Sequence, residues 1–564
     1  MVIRTIRTLL QNQPTVPATN PNPNASATAS RSRPMSALRS LSFSSQPDVR
    51  ATDRDLPALP DETQSVWAVP VGGSVPEGFV DFHQHNADLP VALLSTNPHV
   101  CVRSGSREEA EMRQAFEALS RADRSENAVV AQFLHGSDRE VFKALVTLVR
   151  FGVLDIRHDA SRAPTEGFLK ANSVLDEMAC GGVEPDPANA NGISLFERFR
   201  ALRSAGVDLG APGPDKGMQP PLALAIREKN LPVVVALLKN GVDPSRCPGM
   251  DNSPLMLAQE VRSPEIFNAL LEHNADPHVL VSSYSVQGER LAPIHLAAQK
   301  RTDGLREINS LLSHGAHVNL QSDRGLTPFQ CAIIKHQFAN AALLRDNGAD
   351  PDIFDFLGQT ALHKACEDGD IAAIQGCVRL GANSNLRTRD GRTPLYLAIL
   401  SGADRRAIAE LLTAGAHVNA DNRVIQNMAV DSFSWIRTET RRPALHLVGD
   451  YELREMPLGI DLAYLADIAR LLIDHGADKA QRDLRNGDTP LHVAARRGNL
   501  PVVKVLLEYG RQRAQVSPRN KRNETPIECA ARQGHHHVCH YLREKGAGWV
   551  RVRNLTSYGI GGGA

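Results

Sequence analysis

The stretch DTPLHVAARRGNLPVVKVLLEYG, residues 488–510, holds the pattern that decides the fold. Thr489 can cap the free N–H groups of a first helix, and Pro490 suits its first turn because an N–H there would have no partner. Leucine and alanine then recur at helical spacing, and a second aliphatic segment ends at Gly510, a residue that readily forms a left-handed helix cap. One such pair of helices cannot bury both faces, so the unit predicts neighbours of the same kind.

Eight further segments of the chain repeat the start of this unit. The second residues of all nine segments follow one another at intervals of 33, 39, 35, 33, 33, 50, 46 and 36 residues. A recurrent interval of this length predicts a solenoid of stacked helix pairs. The eight segments are PPLALA from Pro220, SPLMLA from Ser253, APIHLA from Ala292, TPFQCA from Thr327, TALHKA from Thr360, TPLYLA from Thr393, PALHLV from Pro443 and TPIECA from Thr525.

The units resemble the ankyrin repeat in their turn, their Thr-Pro-Leu-His helix start and the paired aliphatic residues of their second helix. Residues 390–395 (DGRTPL) and 488–498 (DTPLHVAARRG) carry the resemblance most clearly. It implies an all-α fold, an ankyrin-repeat solenoid of about nine repeats over residues 196–549. It also implies a non-enzymatic scaffold that binds a partner protein through its protruding turns, here called fingers, and the concave groove beside them, with no cofactor and no metal ion.

Two intervals are longer than the rest and predict insertions near residues 420–442 and 450–461, both in the seventh repeat. Insertions in a solenoid go to exposed loops and often border the binding surface. The first insertion contains Phe433 and Trp435, and we expect Trp435 to contact a partner.

Other candidate partner-binding residues are unusual for their repeat position. Phe356 and Leu357 stand in a finger where the resemblance implies polar side chains, and exposed aromatic residues are favoured interface anchors. Packing against an adjacent finger is the alternative for this pair. The remaining candidates are basic and otherwise form only a solvated face: Arg290, Arg324 and Arg389 in fingers, and Lys300, Lys335, Arg496, Arg497 and Arg532 on first helices facing the groove.

The rest of the chain has a different composition. Residues 1–75 are rich in Ser, Pro and Arg without apolar periodicity, which predicts a disordered leader. Its first ten residues, MVIRTIRTLL, are typical of organelle transit peptides and of bacterial type III secretion leaders. Residues 76–195 predict a mainly helical region of unknown role, with degenerate repeats as one interpretation. Residues 550–564 predict a flexible tail.

Charge and cysteine content restrict the partners and the compartment. The 63 basic and 63 acidic residues cancel, but residues 488–553 hold thirteen Lys/Arg against five Asp/Glu. No groove-reading element accompanies this basic stretch, so we expect protein partners rather than nucleic acid. We also expect no membrane span and a monomer.

Eight cysteines without a C-x-x-C pair favour a reducing compartment, the cytoplasm, with type III delivery into a host cell as a further interpretation.

Catalytic and metal motifs are weak in this sequence. His83-Gln84-His85 resembles the H-x-H of amidohydrolase barrels, but repeats follow it where a barrel would need alternating strands and helices. The cluster His535 to His540 falls on a repeat helix, so we expect neither group to bind a metal. Two alternatives stay open: an enzyme with a catalytic region in residues 76–215 whose repeats recruit substrate, and a ubiquitin-ligase adaptor, since Leu59-Pro60-Asp61-Glu62 resembles the start of an F-box.

Overall fold

The computed structural model describes the chain from residue 65 to residue 548, with gaps. All described residues belong to one compact unit, Pro60–Ala564. The predicted leader lies almost entirely outside them and the predicted tail wholly so, and both stay predictions. The described residues are 65–69, 74–90, 94, 100–156, 174–184, 192–212, 219–282, 289–420, 423–431, 434–441, 443–450, 461–510 and 514–548.

A small antiparallel sheet begins the described part. Its strands are β1 (Val66–Ala68), β2 (Phe79–Asp81) and β3 (Val100–Arg103), with β3 in the centre. Val102 of β3 lies opposite both Val66 and Val80, and it is fully buried. The sequence did not predict this sheet, because strands of three or four residues are too short to show an alternating pattern.

Six helices precede the repeats, the first of them between β2 and β3. The pair α3 and α4 stacks on the pair α5 and α6, which in turn stacks on the first repeat. Each pair therefore adds to the same two layers of helices. The six are α1 (His83–Asn86), α2 (Arg107–Ser120), α3 (Glu126–His135), α4 (Arg139–Arg150), α5 (Val174–Gly181) and α6 (Leu195–Ser204).

Nine helix pairs follow within the described residues. The first helices of the pairs are α7 (Pro221–Arg227), α9 (Pro254–Glu260), α11 (Pro293–Gln299), α13 (Pro328–Ile334), α15 (Ala361–Asp368), α17 (Pro394–Ser401), α19 (Ala444–Asp450), α21 (Pro490–Arg496) and α23 (Pro526–Arg532). The second helices are α8 (Leu231–Lys239), α10 (Pro264–Glu272), α12 (Gly304–Ser313), α14 (Phe338–Asp346), α16 (Ile371–Arg379), α18 (Arg405–Thr413), α20 (Leu462–Asp474), α22 (Leu500–Glu508) and α24 (His536–Glu544).

The pairs form for the reasons the sequence indicates. Thr393 caps α17 by accepting a hydrogen bond from the N–H of Tyr396 at 3.3 Å, and Pro394 occupies the first turn. Leu395 and Ala398 of this helix are buried, as are Ile408 of α18 and the matching aliphatic residues of other repeats. First helices pack on first helices and second on second, so one continuous core runs between two layers. The predicted all-α repeat fold is confirmed.

Two hairpins interrupt the helical pattern. Strands β4 (Val281–Ser282) and β5 (Arg290–Leu291) form a short one. Strands β6 (Arg423–Asp431) and β7 (Ser434–Arg441) form a longer one between α18 and α19, where the sequence predicts the first insertion. Most of the second predicted insertion, residues 451–460, lies outside the described residues.

Candidate partner-binding surface

Five of the described fingers are closed in the same way, by a polar side chain that accepts hydrogen bonds from its own turn. The hydroxyl of Ser322 accepts from the N–H groups of Arg324 and Leu326 at 3.3 and 3.2 Å. In the last finger the side-chain oxygen of Asn520 accepts from the N–H groups of Arg522 and Glu524, both at 2.9 Å. These bonds fix the backbone of each finger, so the residues at its tip are held in place.

Neighbouring fingers are also joined to each other. The N–H of Phe356 donates to the carbonyl of Arg324 at 3.1 Å, and the N–H of Asp323 donates to the carbonyl of Arg290 at 3.4 Å. Gly325 has a φ of 78°, and a Cβ on it would lie 2.6 Å from the ring of Phe356. Glycine is therefore required where the two fingers meet.

Buried histidines fasten four of the first helices to a following turn. The Nδ1 of His363 accepts from the N–H of Thr360 at 3.2 Å, and its Nε2 donates to the carbonyl of Leu386 at 3.1 Å. His295 and His492 make the same two kinds of bond. Burial lowers the pKa of all three to about 4, so the rings are neutral near pH 7.

Gln330 takes the place of the histidine in one repeat and reproduces both contacts. Its Oε1 accepts from the N–H of Thr327 at 2.9 Å, and its Nε2 donates to the carbonyl of Ile353 at 2.9 Å. These positions hold the stack together, so the recurrent imidazoles are not arranged for chemistry.

The two predicted apolar anchors lie at the tip of one finger. Phe356 is 58% exposed and Leu357 is 74% exposed, the largest values among the exposed large hydrophobic side chains of the described residues. Phe356 also lies against Gly325 of the preceding finger, so packing on a neighbour and exposure to solvent occur together.

The three predicted basic residues of the fingers are exposed. Arg324 and Arg389 stand in the fingers on either side of Phe356, and the Cβ of Arg389 lies close to Gly358. An Nη of Arg324 lies 4.0 Å from a carboxylate oxygen of Glu289. Arg290 lies further along the same row, where its guanidinium donates to the carbonyl of Leu280 at 2.8 Å.

The predicted basic residues of the groove are mostly engaged within the stack. Lys300 pairs with Glu307 and donates to the carbonyl of Gln259 at 3.2 Å. The other pairs join Arg496 to buried Asp488, Arg497 to Asp450 and Arg532 to Glu524. Lys335 is exposed at the end of α13. The structure therefore divides the predicted residues into an outer set on the fingers and an inner set that also stabilises the repeats.

One predicted residue cannot be placed in either set. Trp435 belongs to β7, and its side chain lies outside the described part of the structure, as does Phe433.

Two exposed aliphatic residues of the groove were missed from the sequence. Ile334 and Leu400 are each 40% exposed at the ends of α13 and α17. Both stand seven positions after the threonine that begins their helix, where other repeats carry Glu367 or Arg496. Comparing the repeats position by position would have found them.

The histidine clusters have local partners. In α24 the Nε2 of His537 donates to the carbonyl of Gly498 at 3.0 Å, and the Nε2 of His535 donates to that of Arg496 at 3.0 Å. Within the described ranges, no three His, Cys, Asp or Glu side chains lie together in a way that could hold a metal ion. Over the same residues, every helix is too short or too polar to cross a membrane.

Paired helices in two layers, with a row of hydrogen-bonded fingers, define a repeat solenoid of the protein-interaction class. The family model for ankyrin repeats matches residues 343–422 and 461–551, in three copies. The sequence prediction of ankyrin repeats is therefore confirmed over these residues.

Curated relatives match parts of the chain. Human Rabankyrin-5 is 33% identical over 225 residues, 37% of this chain and 18% of that protein. Human B-cell lymphoma 3 protein is 27% identical over 387 residues, 67% of this chain and 74% of that protein. Human NF-kappa-B inhibitor alpha is 36% identical over 137 residues, 23% of this chain and 42% of that protein. The chain thus spans less than a fifth of Rabankyrin-5 and less than half of the inhibitor.

Proposed function

We propose that this protein is a non-enzymatic scaffold that binds a partner protein through its fingers and the adjacent groove, with Phe356 and Leu357 as the main anchors. The observation that carries the proposal is the exposure of this apolar pair, 58% and 74%, at the tip of a hydrogen-bonded finger. A finger that is already ordered loses little conformational entropy on binding, which favours affinity.

The surroundings of the anchors have the composition of an interface. Arg324 and Arg389 flank them in the adjacent fingers, and Ile334 and Leu400 add apolar surface on the groove side. Interface cores are enriched in aromatic residues and arginine, with a polar rim around them.

The remaining predicted residues complete the proposed surface. Lys335 adds an exposed charge at the groove, and Arg290 extends the row of fingers. Lys300, Arg496, Arg497 and Arg532 keep ion-pair partners, so we assign them to the rim, where charges affect the rate of encounter more than the affinity. Trp435 is assigned to the same surface because its hairpin lies between α18 and α19, the position along the chain that fingers occupy in other repeats.

The test is affinity capture from a lysate with the full chain as bait. We expect a partner protein that is retained by the wild type and lost by the double variant Phe356→Ala, Leu357→Ala. Leu305→Ala is the matched control, because Leu305 is 44% exposed on α12 rather than on a finger. A partner held equally by all three baits would contradict the proposed anchors, and catalytic turnover by the purified chain would contradict the non-enzymatic role.

The catalytic alternative for residues 76–215 receives no support from the buried arginine in that region. Arg198 is fully buried, but its guanidinium donates to the backbone carbonyls of Phe133, Leu134, Val183 and Ile193 rather than facing a pocket. The matching family model and the relatives above are not named for a catalytic activity. The F-box-like residues 59–62 lie outside the described part of the chain.

Location in the cytoplasm, with type III delivery into a host cell, is also a proposal. Its support is compositional: the N-terminal segment has no acidic residue before Asp48. Deleting residues 1–65 should abolish export from the bacterium, and unchanged export would contradict the proposal.

A further inference from the structure

The last two fingers carry a strongly basic surface that the proposed anchors do not include. We call it the C-terminal basic patch, and all six of its side chains are exposed. It comprises Arg482, Leu484 and Arg485 in one finger and Arg519, Lys521 and Arg522 in the next.

Nearby carboxylates offset only part of this charge, because they are few and are turned towards other groups of the protein. Asp483 is buried, and one of its oxygens accepts from the N–H groups of Asn486 and Asp488 at 2.9 and 3.1 Å. Asp488 is fully buried and pairs with Arg496, and Glu524 pairs with Arg532. Residues 479–487 and 514–523 contain no other acidic residue, so the patch faces solvent with a net positive charge.

The two fingers are fastened to each other. The N–H of Lys521 donates to the carbonyl of Asn486 at 2.8 Å, and its ammonium donates to the carbonyl of Leu484. The guanidinium of Arg482 reaches across to the carbonyl of Arg519 at 2.6 Å. Among the described residues, the guanidinium groups of Arg485 and Arg522 have no hydrogen-bond or ion-pair partner. Their charges are therefore available on a preorganised surface.

Leu484 gives the patch an apolar centre. Its finger is closed by a hydrogen bond from the N–H of Asp483 to the carbonyl of Asp488, which spans one residue more than the bond from Ser322 to Leu326. The longer turn leaves Leu484 50% exposed between charged neighbours.

We infer that the C-terminal basic patch binds an acidic segment of a partner protein, one that carries an apolar side chain among its carboxylates. The guanidinium groups of Arg485 and Arg522 would hold carboxylates, for which their geometry is well suited, and Leu484 would contact the apolar side chain. The inference rests on the proposed function, because it assigns a partner chemistry to the same row of fingers.

A protein segment fits the patch better than a nucleic acid. Sites for single strands combine basic residues with aromatic side chains on which bases stack. Residues 479–487 and 514–523 contain no aromatic residue, and the exposed apolar group is an aliphatic one. Leu484 therefore suits the side chain of a peptide rather than the face of a base.

The test measures binding of three labelled probes to the full chain by fluorescence anisotropy. The first probe is a glutamate-rich peptide with central leucines, the second is the same peptide with glutamine for glutamate, and the third is a single-stranded DNA oligonucleotide of equal charge. We expect the acidic peptide to bind best and its affinity to fall as salt screens the exposed charges.

Variants assign the binding to the patch. Arg485→Glu with Arg522→Glu should weaken binding of the acidic peptide by at least about ten-fold, and Leu484→Ser by about five-fold. The matched control is Arg405→Glu with Arg406→Glu, which makes the same change in net charge on the exposed start of α18 and should leave the affinity unchanged. Arg485→Gln with Arg522→Gln provides a milder second variant if the charge reversal impairs folding.

Three results would overturn the inference. One is tighter binding of the oligonucleotide than of the peptide, with the oligonucleotide binding lost in Arg485→Glu, Arg522→Glu. Another is a loss of peptide affinity in the control Arg405→Glu, Arg406→Glu that equals the loss in the patch variant. The third is no binding of the acidic peptide, even though the full chain still captures a partner that depends on Phe356 and Leu357. In that last case the proposed function stands and only the basic patch loses its role.

Discussion

The helices around Arg198 and the repeats that follow them are held together in two different ways. Arg198 is a single residue whose guanidinium binds four carbonyls, two at the end of α3 and two in the segments before α6. In the repeats, the same inter-turn bond is made again and again by His295, His363, His492 or an equivalent side chain. Losing one residue should therefore be severe in the first region and modest in the second.

The largest effect is expected for Arg198→Met. The side chain keeps its apolar bulk, but four carbonyls lose the guanidinium as a donor, and three of them belong to buried residues. We expect a loss of about 3–5 kcal/mol in the free energy of unfolding. Urea unfolding of the full chain measures it. Arg198→Lys should be intermediate, because an ammonium cannot reach all four carbonyls. An unchanged midpoint for Arg198→Met would remove the distinction between the two regions.

A smaller effect is expected for His363 in the repeats. His363→Ala removes one buried donor and one acceptor and should cost about 1–3 kcal/mol. His363→Gln should cost less than about 1 kcal/mol, because Gln330 already makes the same two contacts in the neighbouring repeat. If His363→Gln lowers the free energy of unfolding as much as His363→Ala does, glutamine and histidine are not equivalent at this position of the repeat.

The same glutamine variant tests the pH dependence of the stack. Burial lowers the pKa of His363 from 6.5 to about 4, so the unfolded chain binds a proton that the folded chain does not. The stability from this ring is complete above pH 6.5 and is lost as the pH falls towards 4. The ring contributes at most about 1.4 kcal/mol per pH unit to the change of the free energy of unfolding with pH. This contribution should be absent in His363→Gln. Melting temperatures of both proteins between pH 7 and pH 4 measure the difference, and parallel curves would contradict it.

The smallest effect is expected for an exposed arginine in the same N-terminal region as Arg198. Arg107 pairs with Glu111 at 2.9 Å, but its side chain is 87% exposed. Arg107→Ala should change the free energy of unfolding by less than about 0.5 kcal/mol. A loss near that of Arg198→Met would show that burial does not decide the difference.

The repeats were predictable because the sequence signals of each repeat are local. A Thr-Pro pair, a run of aliphatic residues and a recurrent interval depend only on neighbouring positions, and α17, α21 and α23 begin at the prolines the sequence indicates. Strand β3 and the hairpin of β6 and β7 were not predicted. The interval predicts an insertion there, but its length alone does not specify a hairpin.

The candidate surface was predictable only in part. Phe356 and Leu357 stood out because they break the pattern of their own repeat. The ion pairs of Lys300, Arg496, Arg497 and Arg532 were not visible, because their acidic partners lie from seven to 47 positions away along the chain. Only the stacking of helices and turns brings these charges together, and it gives four predicted contact residues a structural role as well.

The histidine bonds also give the stack a direction. Each Nε2 donates forwards, to the carbonyl of a later turn, and no described histidine of the row donates backwards. Glu528 occupies the equivalent position of the ninth pair, where its carboxylate accepts from the N–H of Thr525 at 2.7 Å and has no proton to pass on. A further repeat added after α24 would therefore receive no bond of this kind from the ninth pair. Glu528→Gln would supply the missing donor, as Gln330 does within the array.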